Sequence, residues 1–458
     1  MKNPDYMTQL EKSLSQLIRI PSVYDASTAS QDSPYGKGVA DALSYVADLA
    51  RSDGFEVTTY EGHAVAIHLP GSTSGRIDIV SHVDVVEPGP NWSHAPFGAE
   101  VEGNFMYGRG TQDMKTAFLL TYYALKTLKE RRVPFARELR LVVGGDEERT
   151  MEDMAYYIHK AGRPDFAFTP DGAFPLALGE KGALMWRLQG PVESCIISLY
   201  GGVQCNVVPP SATAAVQTAL SENDYQAAFA SRGITGTVHR RESGVLHLEV
   251  TGKASHASRP ESGKSAVTDL CSIIAQLEND SFSQLITHVF TDYYGTGATI
   301  DYDIPPMGKL TINMGVLQVV NGNLYAEIDC RYPYGITSAL LTEKLTAYCA
   351  PYKISLDYDA PPTLVDESSP FVQQLIASYQ SATGDMASRP FISGGVTYGK
   401  VVPDCVAFGP LLPGEESRAH QADERVDCTT LPLLLELYTD AMFRLATVDI
   451  GTGAKEKK

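Results

Sequence analysis

Seven cysteines in 458 residues form no Cys-x-x-Cys pair, and their number is odd. That excludes a zinc ribbon built on thiolates and speaks against a disulfide scaffold, leaving buried free thiols in a reducing cytoplasm as the expectation. Positive charge is also scarce. Lys and Arg number 37 against 55 Asp and Glu, a formal charge of −18. Nucleic acid is thereby disfavoured as a partner, because phosphate binding is driven by clustered cations. No apolar run approaches the ~18 residues of a membrane span. The opening Met1-Lys2-Asn3-Pro4-Asp5-Tyr6 has neither the basic stretch nor the apolar core of a secretory leader. A cytoplasmic protein without membrane attachment is therefore expected. There is no internal repeat and no low-complexity block.

What is there describes an ordinary globular chain, 43% apolar and 20% charged, but one too long for a single hydrophobic core. Met7, Leu10, Leu14, Leu17 and Ile18 recur at helical spacing and predict a helix over 6–20, stopped by Pro21. The same spacing predicts helices over 37–51 and 116–129, with strands at 56–60, 64–69, 77–81 and 138–143 between them. Alternating strands and helices imply an α/β sheet covered on both faces. After Asp171 the texture changes to short β-like runs, such as 245–250, 310–316 and 324–329, with helices at 265–277 and 338–348. Helices at 369–382 and 431–447 then resume the first texture. The expected organisation is a catalytic domain from 1–181 and 367–450, an inserted α+β domain at 182–366, and a disordered tail at 451–458.

The chemistry-bearing residues sit at strand mouths and in glycine-rich turns. Ile79-Val80-Ser81-His82-Val83-Asp84 is an apolar strand ending in His-x-Asp. On a strand, positions i and i+2 share a face, so Asp84 can serve the second nitrogen of His82. Asp113 follows Gly108-Arg109-Gly110-Thr111-Gln112, and taken alone it reads as the N-cap of the helix beginning near Lys115. Glu147-Glu148 follow the strand at 138–143; two adjacent carboxylates repel unless a cation or a proton intervenes. Singly, they could be solvated loop residues, Asp171 of Pro170-Asp171-Gly172 a turn residue, and His420 a surface histidine.

Taken in order, the set His82-x-Asp84, Gly-Arg-Gly-Thr-x-Asp113, Asp-Glu147-Glu148, Pro-Asp171 and Ala-His420-x-x-Asp-Glu resembles the M20 metallopeptidases. Asn91-Trp92, Phe174-Pro175, Gly179-Glu180-Lys181-Gly182 and Gly394-Gly395-x-Thr397-Tyr398 are similar to the PepV-type dipeptidase branch. The resemblance implies a mixed-sheet zinc-peptidase catalytic domain with an inserted α+β lid, and two Zn2+ per chain, with Mn2+ or Co2+ as substitutes. His82 and Asp171 would bind one ion, Glu148 and His420 the other, and Asp113 would bridge them. Glu147 would be the general base for the bridged water, Asp84 the residue orienting His82, and Asp113-Met114 a cis peptide. His256 of Gly252-Lys-Ala-Ser-His256 would donate to the oxyanion, and Arg331 would grip the substrate's C-terminal carboxylate. Asn206 would be a second carboxylate contact, with Gly394, Gly395 and Thr397 lining the same end of the pocket.

The chain departs from the family pattern after the bridging aspartate, where Thr116 stands in place of a frequent glycine, and at Arg149, where a small residue is common. The enlarged insertion implies a monomer in which His256 acts within its own chain. The implied activity is hydrolysis of dipeptides bearing a free C-terminal carboxylate. Two alternatives remain open: an N-acyl-amino-acid deacylase of the same family, and a non-catalytic metal- or peptide-binding descendant.

Overall fold

A computed structural model describes residues 4–451 except 133, 243 and 291. The expected disordered tail therefore lies outside the described residues apart from Gly451. The chain divides into two compact units, one made of residues 1–179 and 364–458, the other of 180–363. The breaks fall two residues before the expected 181 and three before the expected 366.

The first unit is organised by a nine-stranded mixed sheet. Its path runs Glu56–Tyr60, Ala64–Leu69, Glu138–Gly144, Arg76–His82, Phe166–Thr169, Cys405–Ala407, then the two short strands by which the chain leaves and re-enters. The central strands are parallel: Arg76–His82 pairs in parallel with both Glu138–Gly144 and Phe166–Thr169, and Cys405–Ala407 continues that direction. Antiparallel strands flank them. Parallel strands buried on both faces need continuous apolar runs rather than alternation. Arg76–His82 is accordingly buried at every position from Ile77 onward, and Phe166–Thr169 throughout.

The expected helices of this unit form with small shifts. Lys115–Arg131 is buried nearly all round, through Phe118, Leu119, Leu120, Tyr122 and Leu125, as a helix sandwiched between sheet and neighbours must be. Each such fully buried side chain contributes about 1.5–3 kcal/mol relative to exposure. The first helix ends at Ile18 instead of reaching 20. The residue before a proline is pushed out of helical geometry, and the Lys115 ammonium donates to the carbonyls of Leu17 (3.1 Å) and Ile20 (2.9 Å), which also accept from the Ile20 and Ser22 amides. One helix here, Glu152–Ala161, goes beyond the sequence expectation.

The second unit is an eight-stranded, wholly antiparallel sheet in the order Thr235–Glu242, Val245–Thr251, Ser211–Gln217, Ile196–Gly201, Thr311–Val320, Asn323–Tyr332, Gly182–Pro191, Lys353–Ala360. Alternation is now the rule: Leu184, Trp186 and Leu188 point into a core shared with Leu270, Ile273 and Ile274 of the helix Ala266–Glu278. That helix and Ser338–Tyr348 lie where periodicity places them, capped by Ser265 and Thr337. Glu222–Ser231 and Ser281–Phe290 are further helices. No described helix is long and apolar enough to cross a membrane.

Candidate metal centre

The carboxyl ends of adjacent parallel strands open onto one crevice, the place where open α/β sheets bind ligands. His82 is the last residue of Arg76–His82, and its register partner Gly144 ends the neighbouring strand just before Asp146-Glu147-Glu148. Phe166–Thr169 delivers Asp171 two residues past its end. Asp113 arrives from a turn, joined to Met114 by a cis peptide bond. It is not the helix cap that its position alone suggests, because Met114 holds the N-cap position and no side-chain cap is made. His420 comes from the long loop after Pro410–Leu411, at φ 65°.

These residues converge. Two groups have donor atoms within 4.8 Å of one another: His82, Asp113 and Asp171, and Asp113, Glu148 and His420. Asp113 belongs to both and turns a different oxygen to each. Its Oδ1 lies 3.2 Å from His82 Nε2, and its Oδ2 lies 3.0 Å from His420 Nε2. Asp171 Oδ2 is 3.7 Å from His82 Nε2, and Glu148 Oε2 is 3.0 Å from His420 Nε2. His420 is the most open of the five, its side chain 53% exposed.

Glu147 stands beside this set, 7% exposed, with Oε2 3.8 Å from His82 Nε2. Among the described residues, buried polar atoms of His82 (Nε2), Asp113 (Oδ1) and Glu147 (Oε1) have no hydrogen-bond partner of proper geometry. Oxygen and imidazole donors left bare in a buried cluster are the chemistry a divalent cation satisfies.

Electrostatics point the same way. Burial, then the charges of Asp171, Glu148 and Asp113, hold the Glu147 carboxyl well above the usual carboxylate range, against the opposing pull of His82. Burial and Asp113 push Glu148 up to about 7. Burial works against charge on His420, yet its contacts with Asp113 and Glu148 raise it to about 11. The carboxylates around His420 thus favour positive charge at this spot, the sign a divalent cation brings.

His82 is oriented by Asp84 in two ways. Its Nδ1 is 3.0 Å from the Asp84 main-chain oxygen and 3.4 Å from a carboxylate oxygen, while the other carboxylate oxygen accepts from the Glu148 amide at 3.0 Å. Asp84 thus ties together two segments that carry ligands. Arg149 lays its guanidinium over Tyr24 and reaches Asp146 at 3.3 Å. Its charge therefore falls on Asp146, where burial still prevails and the net shift is upward.

Two supports escape sequence reasoning because their partners are remote in the chain. Glu424, fully buried, accepts from the amides of Gly110 (3.1 Å), Gln112 (2.8 Å) and Asp113 (3.1 Å), and pairs with Arg109 at 2.5 Å. It fastens the His420 loop to the Asp113 turn. Asp153 accepts from the amides of Gly145 (2.7 Å) and Asp146 (2.9 Å) and from the Tyr398 hydroxyl. The Tyr398 ring meets His82 edge-on at 6.2 Å. Position 144 must be glycine, since a Cβ there would come within 2.1 Å of both Asp153 and Tyr398. Thr397, Tyr398's neighbour, uses its hydroxyl to accept from the Gly399 amide, and Gly395 donates its amide to Ser393.

Asn206, His256 and Arg331 belong to the second unit, and that unit brings them near one another. Val207 bridges His256, and the Ala257 amide donates to the Asn206 oxygen at 2.8 Å. Arg331 is the register partner of Thr311, whose hydroxyl donates to Ala257 at 3.2 Å. Arg331 itself makes paired hydrogen bonds to Asp329 of 2.9 and 2.8 Å.

Residues 79–444 match the model of Peptidase family M20/M25/M40. YtjP of Bacillus subtilis strain 168, provisionally named a dipeptidase, is 30% identical over 95% of this chain and 97% of its own. A Staphylococcus aureus (strain USA300) protein with the same provisional name is 31% identical over 97% and 98%. Among solved structures, the M20 metallo-carboxypeptidase Sso-CP2 of Sulfolobus solfataricus aligns with a TM-score of 0.58 at 16% identity, covering 95% of this chain and 98% of that one. Aminoacylhistidine dipeptidase of Vibrio alginolyticus aligns at 0.55 and 13%, covering 99% and 98%. At such identities these likenesses establish the fold.

Proposed function

Because the chain belongs to the M20/M25/M40 peptidase family, we propose that it is a metal-dependent dipeptidase. One observation carries this reading: two donor groups share Asp113, each facing one of its oxygens, with the buried Glu147 beside them. His82 and Asp171 would hold one divalent cation, Glu148 and His420 the other, and Asp113 both. Bound there, such a pair of ions polarises a carbonyl and supplies an activated water near neutral pH.

The remaining work belongs to side chains. Glu147 takes the proton of the attacking water and passes it to the leaving amine nitrogen, a role that suits a carboxyl held above its ordinary range. Asp84 fixes the ring and tautomer of His82, and Glu424 holds the Asp113 turn. His256 is assigned the hydrogen bond to the oxyanion, worth roughly 3–4 kcal/mol when correctly aimed. Arg331, a planar guanidinium, is assigned the substrate's C-terminal carboxylate, with Asn206 as a second contact. Gly394, Gly395 and Thr397 complete that end of the site in the same proposal. Zinc is the expected metal, a dipeptide the expected substrate, and one chain the expected working unit.

The test is a panel of dipeptides and N-acetyl amino acids assayed with the metal-loaded chain. Hydrolysis of the dipeptides supports the reading. Exclusive cleavage of the acylated amino acids would replace it with the deacylase.

A further inference from the structure

The metal-bearing unit contains a cavity of about 400 Å3 whose lining includes Asp113 and Asp171, one ligand shared by both donor groups and one from a single group. Phe105, Pro410, Leu411, Val426 and Leu434 give the wall an apolar face, beside polar residues that include Thr111, Gln112 and Thr430. Its size is that of a small-molecule site, and apolar walls with a few polar groups are how such sites are built. Thr116 also lines it, three residues after Asp113 and in the first turn of the helix Lys115–Arg131. That side chain is 2% exposed, and its hydroxyl has no hydrogen-bond partner among the described residues. Thr116 is also the position where this chain departs from the glycine frequent in the family it resembles.

We propose that this cavity receives the N-terminal residue of the substrate, with an apolar side chain such as Leu, Met or Phe against its wall, and that Thr116 sets its depth. The inference rests on the dipeptidase reading. The cavity and the candidate metal ligands belong to one unit of the chain, so a substrate held at the metals has this cavity beside it. The polar lining agrees in sign. Glu415, Glu416 and Asp427 outnumber Arg418 and Arg425, and Arg418 is already paired with Glu416 at 2.9 Å. Such a rim suits a substrate with a free ammonium group and disfavours an acidic N-terminal side chain.

Steady-state kinetics on X-Ala dipeptides, with X as Ala, Leu, Phe or Asp, test this on the wild-type enzyme and two variants. Leu-Ala should exceed Ala-Ala in kcat/KM by about tenfold or more, as methylenes in an apolar pocket discriminate. Thr430→Phe, which projects a ring into the cavity wall, should lower that ratio about tenfold. Thr116→Ala, a change small enough to leave folding intact, should instead raise Phe-Ala relative to Ala-Ala several-fold. An Ala-X series run in parallel should keep its wild-type order in both variants. Unmoved X-Ala ratios, a shift confined to the Ala-X series, or a preference for Asp-Ala would overturn the pocket assignment while leaving the dipeptidase standing. A wild-type enzyme inactive on every dipeptide would instead remove the dipeptidase reading itself.

Discussion

Glu147 and Glu148 are neighbours in sequence to which the proposed mechanism gives separate duties, and they make the sharpest prediction at the scale of single residues. Glu148 reaches His420, whereas Glu147 lies against His82 and makes no hydrogen bond through Oε1. Replacing Glu147 with Ala should leave metal content unchanged and reduce kcat by about a hundred- to ten-thousandfold, the usual loss when a general base is removed. Glu148→Ala should lower metal content as well. Retained turnover in Glu147→Ala, measured with metal content confirmed, would remove its role as base. Glu424 predicts the opposite pattern. Its carboxylate gathers the amides of Gly110, Gln112 and Asp113. Glu424→Gln should weaken metal binding about 10–100-fold, as losses of such supporting contacts do, and excess metal should restore most of the activity. Equilibrium dialysis against zinc would decide it.

At the scale of elements, most of what matters was readable as periodicity. Strand 56–60 falls where expected because Val57, Thr58, Thr59 and Tyr60 favour extended backbone, strand 64–69 because it is a continuous apolar run, and the helix 431–447 because of its apolar spacing. The three additional helices show where that signal thins. Glu222–Ser231 has little apolar face and is set by a capping box between Ser221 and Asp224. Ser281–Phe290 carries Phe282, Ile286 and Val289 at helical spacing, but among Ser, Thr and aromatic residues of weak helix propensity. Glu152–Ala161 is anchored by Asp153, whose partners Tyr398 and Gly145 no local pattern reveals. The individual ligands were likewise ambiguous: His82-x-Asp84 or a lone Asp171 had plain alternatives, and only the ordered set carried the family resemblance. Strand order resolves the ambiguity physically, because parallel pairing places the ends of three strands side by side. Helix caps give a modest check on this level. Ser369→Ala removes the hydroxyl that accepts from the Val372 amide at the start of Pro370–Thr383. It should destabilise the protein by about 1 kcal/mol, measured by urea denaturation, with kcat unchanged.

For the whole molecule, the site is a concentration of negative charge within a chain that already carries −18. Asp113, Glu147, Glu148 and Asp171 crowd the same crevice beside the imidazoles of His82 and His420. Carboxylates so placed oppose folding unless cations or protons neutralise them. Chelation should therefore lower thermal stability, and added Zn2+ or Mn2+ should restore it. Ion at about a hundred times its dissociation constant contributes about 2.7 kcal/mol per site. Unfolding scans with and without chelator would read this directly; an unchanged midpoint would mean that the crevice does not rely on metal.

The central claim is that one carboxylate, Asp113, serves two cations at once. Its most direct test is elemental analysis of the purified, zinc-saturated chain beside Asp113→Ala after extensive dialysis. Two zinc ions per wild-type chain, falling to one or none in the variant together with loss of dipeptide hydrolysis, is the predicted result. A wild-type chain that cleaves dipeptides while holding no metal, or an Asp113→Ala chain that keeps both ions, would contradict it.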